Sequence, residues 1–469
     1  MKRLESIVIG SLLAAFMMGC TVGPNYKRPV TSTPQSYRGA MAPEIQPASQ
    51  TASLSDEKWA DIFQDPVLKK LIAEAIANNF DIKIAAQRVL EEEAQVGIVR
   101  SQQFPTINGG ASYTGAGLPS SFTGTAVPSQ VYGGGLTASG AWNLDFWGLY
   151  RRQTEAERAE LLATEWAQRA TQLAVISDVT QAYFQLRMLD EQLDVTQRTI
   201  EARKNSLQLI QAMESGGATS LADVRQAEEL LYTAQANLPN LQNDIAHEEN
   251  TLSLLLGRNP GSVERGLAVA DEPHPEAIPA GVPSQLLERR PDIRQAEAKL
   301  IAANARIGVA KAQFFPQLSL TAMGGSASNQ LSSMFAGKNA YWYAAGSLSE
   351  PIFDGGRIRS NYHLSKAEEQ EMLTSYQKAI AGALRDVSNA LSSYQKTREF
   401  REQQEQQTQS AADAVRLARL RYDAGYTSYL EVLTNDTNLY SSQLTLAQAQ
   451  QQEALSLVQV YTALGGGWQ

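Results

Sequence analysis

The sequence predicts an α+β membrane protein. Two repeats in one chain each feed a β-hairpin into a rod-length pair of helices, and the strands form a β-barrel that one copy cannot close. Three observations carry this: a long-range internal repeat, two helical runs of exceptional length, and four segments of alternating polarity.

The repeat is read directly. "DIKIAAQRVLEEEAQVGIVRSQQFP" (81–105) returns as "DIRQAEAKLIAANARIGVAKAQFFP" (292–316), and "GATSLADV" (217–224) returns as "GYTSYLEV" (425–432). These offsets of 211 and 208 residues far exceed a solenoid period, so a whole structural unit is duplicated. The stretch 257–283 between the halves holds five prolines and four glycines, as a surface connector would. The expected layout is a removable segment (1–19), a first repeat (20–283) and a second repeat (284–469).

The helical runs come next. Tyr150 to Ser215 contains neither Pro nor Gly, and Arg357 to Ala424 contains only Gly382. Both are rich in Ala, Glu, Gln, Leu and Arg, which favour helix. Helices over 150–215 and 357–424 would each be on the order of 100 Å long. Each is followed by a second helix, over 218–256 and 426–464. Val179, Leu186, Leu193, Ile200 and Leu207 recur every seven residues, as do Val224, Leu231, Leu238, Ile245 and Leu252. A strict heptad keeps one seam against a partner helix. The matching series in the second half, Val432, Leu439, Leu446, Glu453 and Val460, carries a carboxylate in its seam. Pro239 should bend the helix over 218–256. A further helix is expected over 290–313.

Between each "FP" and its long helix the period changes to two. Leu136, Ala138, Gly140, Trp142, Leu144 and Phe146 alternate with polar or small residues; so do Leu318, Leu320 and Ala322, and Trp342, Ala344, Gly346 and Leu348. This is the pattern of half-apolar strands, in hairpins at about 104–147 and 315–353. Aromatic residues cluster around them, as in membrane barrels. Four strands cannot close a barrel, and open edges are not tolerated in lipid. Copies of the chain must therefore share it: two give eight strands, three give twelve.

The chain start fits a membrane destination. Met1-Lys2-Arg3 and the apolar stretch to Gly19 read as a secretory signal. Cys20 follows at once and is the only cysteine, so no internal disulfide or multi-cysteine zinc site exists. Its position resembles a lipoprotein cleavage box, which would make it a lipid attachment point. Thr21, rather than Asp, then favours the outer membrane. A net charge of -9 argues against nucleic-acid binding, and His247, His274 and His363 are scattered in unrelated contexts. No catalytic or metal constellation is present and no cofactor is expected beyond the covalent lipid, so the chain is not read as an enzyme.

Together, "GCTVGPNYKRP", "DPVLKKLIAEAIANNFDIKIAA" (65–86), the "FP" entries, "PIFDGGRIR" (351–359) and "RYDAGYTSYLEVLTNDTNLY" (421–440) resemble the outer-membrane factor family of TolC/OprM-like export ducts, in its lipoprotein branch. The resemblance implies a homotrimer with one twelve-stranded β-barrel in the outer membrane of a Gram-negative bacterium and one twelve-helix α-barrel in the periplasm. It implies that the helix over 79–102 abuts 218–256, and that 290–313 abuts 426–464. It implies a periplasmic adaptor and an inner-membrane pump of the RND type as partners. It also places a periplasmic gate: Asp223 at an acidic position, Tyr422 at the gate tyrosine and Glu431 at a lumen-facing acidic ring. Thr427 stands where well-known members carry Arg, and Thr434 where they carry an acid. A gate held by hydrogen bonds and packing, without a salt bridge, is expected. The turns holding Gly217, Thr219 and Ser220, and Gly425 and Ser428, would meet the adaptor. The function implied is passive efflux of small toxic compounds. Protein secretion and metal-ion efflux remain alternatives, and a structural periplasmic lipoprotein stalk is the alternative of another class.

Overall fold

The computed structural model describes residues 21–31, 33–34, 36–38, 53–54, 59–117, 130–272, 275 and 278–466. The signal segment 1–19, Cys20 and His274 lie outside them. The main elements are α1 (Pro66–Asn78), α2 (Phe80–Ser101), β1 (Thr106–Gly117), β2 (Gln130–Leu144), α3 (Leu149–Ser215) and α4 (Leu221–Leu255), then α5 (Pro291–Ala312), β3 (Gln317–Ser328), β4 (Ala340–Ser349), α6 (Arg357–Asp423) and α7 (Tyr429–Ala463). The repeat is kept to the residue: α3 and α6 each have 67 residues, and α4 and α7 each have 35. No described helix is apolar enough over its length to cross a membrane.

The compact units do not follow the two sequence halves. One gathers the chain up to Val30 with Val89–Thr164 and Ala296–Tyr376; the other gathers Thr31–Arg88, Glu165–Gln295 and Gln377–Gln469. Each unit therefore draws on both repeats, because equivalent elements pack beside one another.

In the first unit, the strands form one antiparallel sheet in the order β1-β2-β3-β4. The β2–β3 pairing joins the two repeats, with Leu144 opposite Leu318 and Trp142 opposite Leu320. The register puts Ile107, Tyr113, Leu136, Trp142, Leu320, Trp342 and Leu348 on one face. Asn108, Ser112, Thr137, Ser139, Asn143, Ser319, Thr321 and Ser347 share the other. None of the four strands contains Asp, Glu, Lys or Arg. That is an apolar face for lipid and a neutral, hydrogen-bonding face for water.

The segment after Cys20 is pinned in this unit. Arg28 grips Glu297 through two nitrogens, at 2.7 and 2.6 Å, and the Tyr26 hydroxyl donates to the same carboxylate at 3.2 Å. Arg152 donates to the Val22 carbonyl and to the Asn25 side chain. Gly23 crosses Gly308 so closely that a Cβ on Gly23 would lie 2.5 Å from the Gly308 Cα. Trp147 stacks on Phe315 and donates to the Pro316 carbonyl at 2.9 Å, docking the end of one hairpin on the entry of the other.

In the second unit, helix ends meet in matching fashion. Asn79 donates to the Leu255 carbonyl, where α4 ends; its repeat equivalent Arg290 donates to the Ala463 carbonyl, where α7 ends. The connector is less superficial than its composition suggests. Val263, Val269 and Glu272 are buried, and Glu272 accepts from the backbone amides of Gln64 and Asp65 at 2.9 Å each. The buried Asp65 caps α1 and also accepts from the Tyr183 hydroxyl and the Leu267 amide. Gly266 permits this, since a Cβ there would strike the Asp65 carboxylate. The heptad seam is buried at Val179, Leu186, Ile200 and Leu207, and at Val224, Leu231 and Leu252. Pro239 sits on an exposed face of α4 without ending the helix.

Candidate gate at the helical tips

Two helical hairpins end in matching turns. Gly217 and Gly425 adopt φ of 74° and 75°, the left-handed region where a side chain is strained. The amide of Ala218 closes back on the Met213 carbonyl at 2.8 Å, and that of Tyr426 on the Arg421 carbonyl at 2.9 Å. Both are six-to-one closures that satisfy the last carbonyls of α3 and α6. Each following helix starts three residues later than its periodicity predicts, because residues 218–220 and 426–428 belong to the turn and cap.

The first tip closes on itself. The Ser220 hydroxyl accepts from the Asp223 amide, while Asp223 Oδ2 accepts from the Ser220 amide at 3.1 Å, the Ser220 hydroxyl at 2.7 Å and the Thr219 hydroxyl at 2.7 Å. These bonds, that from Thr219 foremost, hold the Asp223 carboxyl below its usual pKa range. Asp223 is the acidic position expected at the gate, and in this chain its carboxylate is engaged by its own turn. The signal was present as Ser-x-x-Asp, a capping box ahead of an apolar run.

The second tip has the same framework with a different outcome. Glu431 is equivalent to Asp223, and Thr427 donates to it as Thr219 donates to Asp223. Ser428, however, makes no side-chain cap bond. The longer Glu431 side chain reaches Arg421, whose Nη1 donates to Oε1 at 2.9 Å. A salt bridge is therefore present, against the expectation of a gate without one. Its cation, Arg421, precedes Tyr422, whereas the place five residues after Tyr422 where the resemblance expects an Arg holds Thr427. The repeat gives no signal for Arg421, because Met213 holds its place in the first half.

Tyr422 lies half-buried where the two hairpins touch. Its ring is 5.3 Å from that of Tyr429, and its hydroxyl faces the Met213 sulfur at 3.9 Å. Beneath it, one apolar cluster draws on all four helices through Leu207 and Ile210, Val224 and Leu231, Ala418, and Val432 and Leu433. A polar seam runs through this packing. The buried Arg203 donates to Asp436 at 2.8 Å and to the Leu230 carbonyl at 2.6 Å, and Arg419 approaches Asp436 from the other side at 3.6 Å. The Ser206 and Tyr429 hydroxyls meet at 2.8 Å. The structure thus brings Tyr422, Thr427, Glu431 and Arg421 to one tip, and leaves Asp223, Thr219 and Ser220 on the other. Thr434 is exposed and donates to the Leu430 carbonyl. Among the described residues no His, Cys, Asp or Glu cluster could hold a metal ion.

Comparison with known proteins places this architecture. The solvent efflux pump outer membrane protein SrpC of Pseudomonas putida is 36% identical over 99% of this chain and 99% of its own. The cation efflux system protein CusC of Escherichia coli O6:H1 is 32% identical over 97% of this chain and 98% of its own. The open state of the Neisseria gonorrhoeae MtrE outer membrane channel superposes with a TM-score of 0.86 at 28% identity, over 96% of this chain and 99% of that one. The fold read from the sequence, an α+β chain giving four strands to a membrane barrel, is the fold of these outer-membrane channels. The model of the outer membrane efflux protein family matches residues 71–258 and 282–466, one match per repeat, and the chain belongs to that family.

Proposed function

We propose that the protein is the outer-membrane exit duct of a tripartite efflux system for small organic compounds. Three copies share a twelve-stranded barrel, and their helices continue as a periplasmic tunnel. A periplasmic adaptor grips the turns at Gly217, Thr219, Ser220, Gly425 and Ser428, and an inner-membrane pump of the RND type supplies the energy. Cys20 carries the lipid, and the pinned segment after it supports a fixed anchor beside the membrane. The tip around Tyr422, Glu431, Thr427 and Arg421 forms the gate.

One observation carries the choice of cargo. The polar face of the four strands is neutral, lined by Ser, Thr, Asn, Gln and small residues together with Val131, Met323, Tyr341 and Tyr343. Such a wall offers no charge to hold an ion and lets uncharged solutes pass in water. Metal-ion efflux is the second reading, favoured by the likeness to CusC. Deleting the gene and restoring it on a plasmid distinguishes the two. Restored tolerance of organic solvents or lipophilic drugs supports the first reading; restored tolerance of silver or copper salts alone overturns it.

A further inference from the structure

The sheet leaves the outer edges of β1 and β4 unpaired. Resting on the shared-barrel reading above, we propose that these edges pair between copies of the chain in one defined register, with Ser347 opposite Ser112 of the next copy. Leu348 then faces Ala111, Gly346 faces Tyr113, and Trp342 faces Gly117.

The register follows from the repeat. β1 and β3 are equivalent at the offset that relates their "FP" entries, so Thr106 matches Gln317. Thr106 pairs with Ala141 and Gln317 pairs with Ser349, so Ala141 matches Ser349. That is the offset relating α3 to α6, and no gap intervenes. Across the repeat boundary β2 pairs with β3, with Ser139 opposite Met323 and Ala138 opposite Gly324. Carrying each residue of β2 to its equivalent in β4, and each of β3 to its equivalent in β1, turns these contacts into Ser347–Ser112 and Gly346–Tyr113. The junction between copies repeats the junction within one.

The side chains fit this register independently. Trp342, Tyr113 and Leu348 are 83%, 74% and 70% exposed on the free edges. Each meets Gly or Ala across the seam, as Tyr113 meets Gly134 and Trp342 meets Gly324 inside the chain. Ile352, just past β4 and fully exposed, comes opposite Ile107. The apolar face stays continuous through the seam. A one-residue slip would set it against the polar face. A two-residue slip one way puts Leu348 against Tyr113 and leaves Gly346 facing Gly115. The other way, it puts the Glu350 carboxylate against Ile107.

Paired cysteines test this in the full-length protein in outer membranes. Opposed residues lie about 4.5–5.5 Å apart between Cα atoms. A disulfide needs roughly 4.4–6.8 Å, and a diagonal neighbour lies about 7–8 Å away. Oxidised S112C/S347C should therefore run mostly as a covalent trimer after boiling. S112C/S349C, S112C/A345C and the parent with its natural Cys20 should remain largely monomeric. Preferential cross-linking of either shifted pair overturns the register while leaving the shared barrel intact. A native trimer in which no pair cross-links also overturns it. A chain that never oligomerises removes the shared-barrel reading itself.

Discussion

Asp223 and Glu431 hold equivalent places in two nearly identical turns, yet their partners differ, because Glu431 is one methylene longer and Arg421 stands where the first repeat has Met213. The shorter Asp223 stays within its capping box, while Glu431 reaches Arg421. Ser220→Ala should cost its helix about 1 kcal/mol, read as faster amide exchange in residues 221–224. The Asp223 carboxyl titrates below its unfolded value, so its contribution is fully present above the ordinary carboxylate range. It is lost as pH falls through the depressed folded value. Acidification below the ordinary carboxylate range should therefore loosen the first tip, measured by faster amide exchange at its turn. The Arg421–Glu431 pair is partly exposed and contributes roughly 0.2–1 kcal/mol, so Glu431→Gln alone should leave fold stability nearly unchanged.

At the scale of elements, α4 and α7 form a natural comparison. Pro239 in α4 is exposed, and Ala447 holds the equivalent place in α7. Pro239→Ala should stabilise the helix by up to about 3 kcal/mol, seen as a higher midpoint in thermal unfolding by circular dichroism. The seam of α7 holds the fully buried Glu453, which accepts from Arg401 Nε at 2.7 Å. Arg401→Met alone weakens the pairing of a buried charge and should cost up to about 3–5 kcal/mol, whereas Arg401→Met with Glu453→Leu should recover most of the loss. The rods were legible because heptads, missing prolines and the repeat all gave one answer. The strands were legible from their period of two, although the glycines of β1 weakened its signal. Glu453 could be read as an exception in its seam, but not as a partner of Arg401, since the pairing depends on the crossing of two helices. Arg421 was hidden likewise: its approach to Glu431 is made by the turn between them. The capping box at Asp223 is legible in the sequence as Ser220 followed three residues later by Asp223.

At the scale of the whole molecule, duplication accounts for most of the design. One hairpin–rod unit, used twice per chain, gives a sheet with two free edges, and those edges make a single copy incomplete in a membrane. Under the proposed function the neutral polar face and the tips divide the work: the barrel would carry water and solute, and the gate would decide passage. The most direct measurement is single-channel conductance of the purified protein in planar lipid bilayers, wild type beside Tyr422→Phe combined with Glu431→Ala. The account predicts small conductance steps for the wild type and a severalfold larger conductance for the double variant. Bilayers that stay silent with both proteins would contradict it and leave a structural stalk.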